Sequence, residues 1–234
     1  MLPRAMRTAR RDLARFDARV LRERGVGRLA GVDEVGRGCL AGPVVAAAVI
    51  LPAGARLPGV DDSKKLNREQ RERQAVLVRA VAIAIGVSFV GPRTIDRINI
   101  RGASLLAMRR AIHRVRVRLR RAAGLASVEG IALDSLIVLV DGIDTVPGVD
   151  VPQQAIIEGD GTSRAVAAAS IVAKTVRDRF MSRLADEWPL YGFERHVGYG
   201  TEEHLEALDR HGPCAWHRYS FAPVAQPDLF AALP

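Results

Sequence analysis

The sequence predicts an α/β fold, a mixed sheet flanked by helices, with a small helical part at the C-terminal end. Three observations carry this prediction. Short apolar runs such as Val44 to Leu51 and Leu136 to Val140 have strand length and are bounded by turn residues. They alternate with longer stretches of helical period, in the order β, β, α, β, α, β, β, α. The 234 residues, 48% of them apolar, suffice for one domain with a proper core.

Each element has its own signal. Residues 8–24 place Leu13, Phe16, Val20 and Leu21 on one stripe, with arginines elsewhere, and read as a helix. Residues 28–34 read as a strand, followed by a glycine-rich turn from Gly36 to Pro43 and the strand Val44 to Leu51. After a Pro/Gly-rich loop, Asn67 with Gln70 three residues on forms a capping box that opens a helix to about residue 83. Ile85 to Val90 reads as a strand and residues 101–122 as a long basic helix. Leu136 to Val140 is wholly apolar, as a strand covered on both faces should be, and Gln153 to Ile157 is a further short strand. Residues 163–186 form an alanine-rich helix and Tyr191 to Gly200 a loop. Thr201 caps a last helix that stops at Gly212-Pro213. Three regions are expected: a basic N-terminal extension over 1–27, a catalytic domain over 28–224 and a flexible tail over 225–234.

Charge narrows the function. The net charge is +9, and the excess is clustered: residues 1–28 hold nine arginines against three acids, and 101–121 hold eight arginines and no acid. Such clusters favour a nucleic-acid partner. The chain uses 32 arginines and three lysines, which reflects a compositional preference, but preference does not account for the surplus over acids. The longest uncharged stretch, Gly38 to Ala55, is broken by Pro43, Pro52 and glycines and fails as a membrane span. With no secretory apolar core at the N-terminus and no CxxC spacing for Cys39 and Cys214, a cytoplasmic protein with reduced thiols is expected.

Against this basic background stand four acids beside glycines. Asp33 and Glu34 open the run Asp33-Glu34-Val35-Gly36-Arg37-Gly38, Asp141 ends an apolar strand before Gly142, and Asp160 lies between Gly159 and Gly161. Carboxylates at buried strand ends are costly unless a cation holds them. Oxygen-only ligands select a hard divalent ion, Mg²⁺ or Mn²⁺. Taken singly, Asp141-Gly142 and Gly159-Asp160-Gly161 are also ordinary turn sequences. Asp33 and Glu34, being neighbours on a strand, point to opposite faces. They can share a site only at the strand end, or if one also uses its backbone oxygen.

The text around these acids resembles ribonuclease HII. The matching stretches are residues 30–38 with Leu40-Ala41-Gly42-Pro43, Asp62-Ser63-Lys64-Lys65-Leu66, Asn99-Ile100, Val140-Asp141-Gly142 and Gly159-Asp160. They continue with residues 167–174, Arg177-Asp178, Gly198-Tyr199-Gly200-Thr201, His204, His211-Gly212-Pro213, His217-Arg218 and Ser220-Phe221. The resemblance implies a ribonuclease H-like fold. It also implies a metal-dependent endonuclease that hydrolyses the phosphodiester 5′ to a ribonucleotide, in RNA–DNA hybrids or in duplex DNA, leaving 5′-phosphate and 3′-hydroxyl ends. Ribonucleotide excision repair and DNA replication are the implied settings.

On this resemblance the metal-binding and catalytic acids are Asp33, Glu34, Asp141 and Asp160, with two Mg²⁺ or Mn²⁺ ions when substrate is bound. Gly36, Arg37 and Gly38 approach the 2′-hydroxyl, Tyr199 lies beside the ribose, and Ser63 and Lys64 contact phosphates. Departures are Glu158 and Val197 where the family usually has lysine. Asp178 is expected to pair with an arginine, and His196, His204, His211 and His217 to serve caps and packing. Gln226, Leu229 and Phe230 resemble a sliding-clamp binding pentapeptide, with Pro227 as a departure; the chain is otherwise expected to be a monomer. Rival readings are a non-catalytic nucleic-acid-binding protein of the same fold, or another ribonuclease H-like nuclease such as a junction resolvase or ribonuclease HIII.

Overall fold

The computed structural model describes residues 4–60, 66–122 and 135–225, with side chains from Leu13 onward. Its centre is a five-stranded mixed sheet, ordered β3-β2-β1-β4-β5. The strands are β1 (Arg28–Val35), β2 (Val44–Ile50), β3 (Ala84–Val90), β4 (Leu136–Asp141) and β5 (Gln153–Ile156). β1 pairs antiparallel with β2 and parallel with β4, so the first strand lies at the middle of the sheet. β2 is buried at every residue, as its unbroken apolar sequence requires.

The helices are α1 (Arg4–Arg24), α2 (Arg68–Val81), α3 (Pro92–Ala122), α4 (Arg164–Glu187), α5 (Phe193–His196) and α6 (Glu202–His211). α3 covers one face: Ala103, Ala107, Ala111 and Val115 pack on Ala30, Val32, Ala46, Val138 and Val140. α4 covers the other, flanked by α2 and α1. The sheet approaches both helices closely because it offers glycine at the crossings. A Cβ on Gly31 would lie 2.1 Å from the Ala165 carbonyl carbon, and one on Gly86 would lie 2.1 Å from the Ala111 oxygen. The C-terminal helices close against the end of α4 through Met181, Leu184, Tyr191 and Phe193.

Most element boundaries fall within two residues of the sequence expectation. The Asn67–Gln70 capping box is present in both directions. Three elements differ, the first being α1, which begins at Arg4, four residues before the expected start. The helix expected over 101–122 is the second part of α3; the chain already turns helically from Pro92 and is interrupted at Asn99, where φ is 57°. The Asn99 side chain accepts from the Gly102 amide at 3.0 Å, so it caps the second part as it ends the first. The loop expected over 191–200 contains the short helix α5, in a stretch too brief to show a helical period. Among the described residues no helix is long and apolar enough to cross a membrane.

Candidate metal and nucleic-acid site

β1 and β4 run parallel and in register, Val32 opposite Val140, so Asp33 and Asp141 follow side by side at the same end of adjoining strands. Alternation turns both toward α4, because Val32 and Val140 face α3. Asp33 is buried. Burial pushes its carboxyl well above the ordinary range, and the nearby charges of Glu34 and Asp141 push it further. The Ser170 hydroxyl and the Lys174 ammonium, both on α4, pull the other way. The Asp141 Oδ1 accepts from the Gly159 amide at 2.7 Å, which ties the strand end to the 3₁₀ turn Gly159–Gly161 carrying buried Asp160. Gly159 leaves room for this bond, since a Cβ would crowd that same oxygen at 3.1 Å.

Glu34 faces the opposite side of β1. Its carboxylate accepts from Arg37 at 3.1 Å, and burial raises its pKa, with Arg37 opposing and Asp141 adding to the rise. Among the described residues no three His, Cys, Asp or Glu side chains meet as a ready-made cage for an ion. Like charges do not close on one another without a cation between them. The donor set fits a hard divalent ion nonetheless: it is all oxygen, and the crowding that drives Asp33 toward its protonated form is the strain that a dication relieves. Glu34 fits only from the strand end or through its backbone oxygen.

Beside the acids lies the Gly36–Gly38 turn. Gly36 has φ of 90°, and a Cβ there would meet the Arg177 Nε at 2.2 Å. Arg37 and Gly38 are exposed. The turn rests on the C-terminal segment: the Leu40 amide donates to the Gly198 carbonyl at 2.8 Å and the Gly42 amide to the Trp216 carbonyl at 2.8 Å. Tyr199 is 45% exposed, and its hydroxyl lies beside the buried Cys39 thiol next to Gly38. The expected ribose-side tyrosine and the expected 2′-hydroxyl reader therefore share one rim.

A relay of neutral imidazoles holds that rim. The Cys214 amide donates to His217 Nδ1 at 2.9 Å, leaving His217 Nε2–H to donate to His204 Nε2 at 3.0 Å. His204 Nδ1–H then donates to the Tyr199 carbonyl at 2.8 Å. This order fixes both tautomers, because each ring has one donor and one acceptor nitrogen. His196 stacks on His204 with ring centres 4.4 Å apart. Burial holds both His204 and His217 down at about 4. The packing role expected for these histidines is thus what the structure places there.

Sequence reasoning missed three further groups. A cleft of about 410 Å³ beside the site is lined by the cations Arg68, Arg71, Lys174, Arg177 and Arg195, with Tyr199 and the acids Asp178 and Glu194, so positive charge outweighs negative along a groove that a phosphate backbone could follow. Arg71 also pairs with Asp178 at 2.7 Å, the ion pair anticipated for that aspartate. Arg177 and Arg218 are fully buried and, among the described residues, donate only to backbone carbonyls. Their sole sequence signal was membership of matched motifs, which says nothing about burial. Ser63 and Lys64, and the segment with Gln226, Leu229 and Phe230, lie outside the described residues.

The fold agrees with that of similar proteins. The family model described as Ribonuclease HII matches residues 30–224. A ribonuclease HII of Bacillus thuringiensis (strain Al Hakam) is 47% identical over 204 residues, 87% of this chain and 72% of that one. Among solved structures, ribonuclease H2 from Pyrococcus horikoshii OT3 is similar with a TM-score of 0.65 at 22% identity, over 88% of this chain and 100% of that one. RNase HII of Archaeoglobus fulgidus, solved in complex with PCNA, gives 0.60 at 26% identity over 81% and 91%. Bst-RNase HIII in complex with Mn²⁺ gives 0.61 at 23% over 91% and 72%. With its model matched across most of the length and close relatives at nearly half identity, the chain belongs to the ribonuclease HII family.

Proposed function

We propose that this chain nicks the strand carrying a ribonucleotide, on the 5′ side of that residue, in duplex DNA or in an RNA–DNA hybrid, leaving 3′-hydroxyl and 5′-phosphate ends. The observation that carries the reading is the pairing of Asp33 with Asp141 on adjoining parallel strands, linked through Gly159 to Asp160 and flanked by the Gly36–Gly38 turn. Asp33, Asp141 and Asp160, with Glu34 from the strand end, are the residues to hold two Mg²⁺ or Mn²⁺ ions. Bound there, the ions would supply the Lewis acidity for hydroxide attack on the phosphodiester and for departure of the 3′-oxygen.

The chain's own groups do the positioning. Gly36, Arg37 and Gly38 meet the ribose with backbone, since only a hydroxyl at the 2′ position separates RNA from DNA at that step. Tyr199 stands on the same rim to stack against the neighbouring sugar. Arg68, Arg71 and Arg195 line the track for the phosphate backbone, and Ser63 and Lys64 precede Arg68 in the chain as additional phosphate donors.

The catalytic unit spans residues 28–224 and acts as a cytoplasmic monomer. The Gln226-Pro227-Asp228-Leu229-Phe230 segment is a docking peptide for a sliding clamp, a reading supported by the PCNA complex of the Archaeoglobus fulgidus relative. Deleting residues 226–234 should abolish clamp binding measured by surface resonance; unchanged affinity ends that part of the reading. The main test is a duplex with one ribonucleotide, incubated with and without Mg²⁺ and mapped at nucleotide resolution. A metal-dependent nick 5′ to the ribonucleotide is expected. A cut elsewhere, or equal cutting of an all-DNA duplex, would refute it.

A further inference from the structure

The Gly36–Gly38 turn owes its shape to one side chain. Arg218 Nη2 donates to the Gly36 carbonyl at 2.6 Å and to the Gly42 carbonyl at 3.0 Å. Its Nη1 donates to the Arg37 carbonyl at 2.8 Å and its Nε to the Gly42 carbonyl at 3.1 Å. A guanidinium is a rigid planar fork, so these carbonyls are fixed relative to one another.

A trans peptide carries its C=O and N–H on opposite sides of one plane. The Gly36 carbonyl shares its plane with the Arg37 amide, and the Arg37 carbonyl with the Gly38 amide. Because both carbonyls are drawn inward onto a single buried cation, both amides are turned outward. Among the described residues neither the Arg37 nor the Gly38 amide has a backbone acceptor. Nothing lies within 4 Å of where a Gly38 Cβ would stand, so a ligand can approach. The cation beneath the carbonyls also polarises the two peptides, which makes their N–H groups better donors.

We propose that Arg218 is the positioning residue for ribose recognition: it presents the Arg37 and Gly38 amides as a preformed pair of donors to the 2′-hydroxyl oxygen of the ribonucleotide. This deepens the proposed function and rests on it. Arg177 provides an internal control for the hydrogen bonds alone, since it packs under Gly36 yet donates nothing to the turn's carbonyls. It is equally buried, but its bonds go to the carbonyls of Pro43 (3.0 Å), Val197 (2.8 Å) and Ala41 (3.1 Å), outside the 36–38 turn.

The experiment compares wild type, Arg218→Lys and Arg177→Lys. Binding is measured by fluorescence anisotropy in EDTA, to a duplex with one ribonucleotide and to the same duplex in all-DNA form. Both variants should lose thermal stability, because one ammonium cannot replace the fork. Arg218→Lys should lower the ribonucleotide-to-DNA affinity ratio by about tenfold. Arg177→Lys should hold the ratio within about twofold. A wild-type ratio in Arg218→Lys, or an equal fall in both variants, overturns the proposal. Should Arg218→Lys fail to fold, hydrogen exchange on the wild type decides. The Arg37 and Gly38 amides should be protected by the ribonucleotide duplex and not by the all-DNA duplex; equal protection by both sinks the idea. A wild type that binds and cuts both duplexes alike would instead refute the functional reading itself.

Discussion

The imidazole relay makes acid sensitivity a quantitative matter. His204 and His217 are buried and held at about 4, against an ordinary 6.5 in the unfolded chain. Between these values the unfolded chain binds protons that the folded chain refuses, so stability is complete above pH 6.5 and drains as pH falls toward 4. At about 1.4 kcal/mol per pH unit, one such histidine contributes about 3 kcal/mol in full, of which about 2 kcal/mol is gone by pH 5. The two share a single hydrogen bond, so their contributions do not add as independent terms. Asp17 works in the opposite direction. Burial holds its carboxyl up at about 6, so its ionisation costs stability as pH rises from about 4 to 6. A wild-type pH profile therefore mixes the two effects, and a comparison with His204→Gln removes Asp17 from the difference. Urea unfolding at pH 7.5 should find His204→Gln less stable by about 2 kcal/mol, through the broken relay. At pH 5 the gap should close almost entirely, because the wild type has by then surrendered the same amount. A gap that stays constant from pH 7.5 to pH 5 would falsify the assignment of neutral, proton-refusing rings.

Three other outcomes are expected. Asp141→Asn keeps an oxygen for the Gly159 amide, so the fold and duplex binding should persist while cleavage falls by at least about a hundredfold, read in a gel assay. Gly36→Ala should cost about 3 kcal/mol and most of the activity, because the new methyl meets buried Arg177 at a positive φ; chemical denaturation with near-wild-type stability would contradict the packing. Gly31→Ala should lower stability by more than about 3 kcal/mol, or prevent soluble expression, since the obstruction is backbone of α4 and cannot swing aside; a melting temperature within a few degrees of wild type would show that the helix can lift.

Much of the frame was legible in the sequence, and for physical reasons. β2 and β4 are uninterrupted apolar runs, which only a strand covered twice can bury at that length. Asn67 and Gln70 spell their own cap, and Thr201 likewise accepts from the His204 amide. The kink at Asn99 was hidden because a helix cap in mid-segment breaks no apolar period; it only shifts its phase. Within the candidate site, the acids stood out because a carboxylate ending an apolar strand is anomalous. Arg177 and Arg218 did not stand out, because in a chain with 32 arginines residue type carries no hint of which ones are buried. The partners of those two are main-chain oxygens, which every residue possesses, so no pattern of side chains could reveal them.

One consequence reaches toward engineering. Neighbouring strands stand about 4.8 Å apart whatever side chains they bear. The main chains of Asp33 and Asp141 follow directly on the Val32–Val140 pair and inherit that pitch, which no nearby side-chain substitution resets. Adjustable parts of the cluster lie off this lattice, in the Glu34 side chain and in the short turn that holds Asp160. Attempts to shift the preference between a smaller and a larger divalent ion belong at those two places.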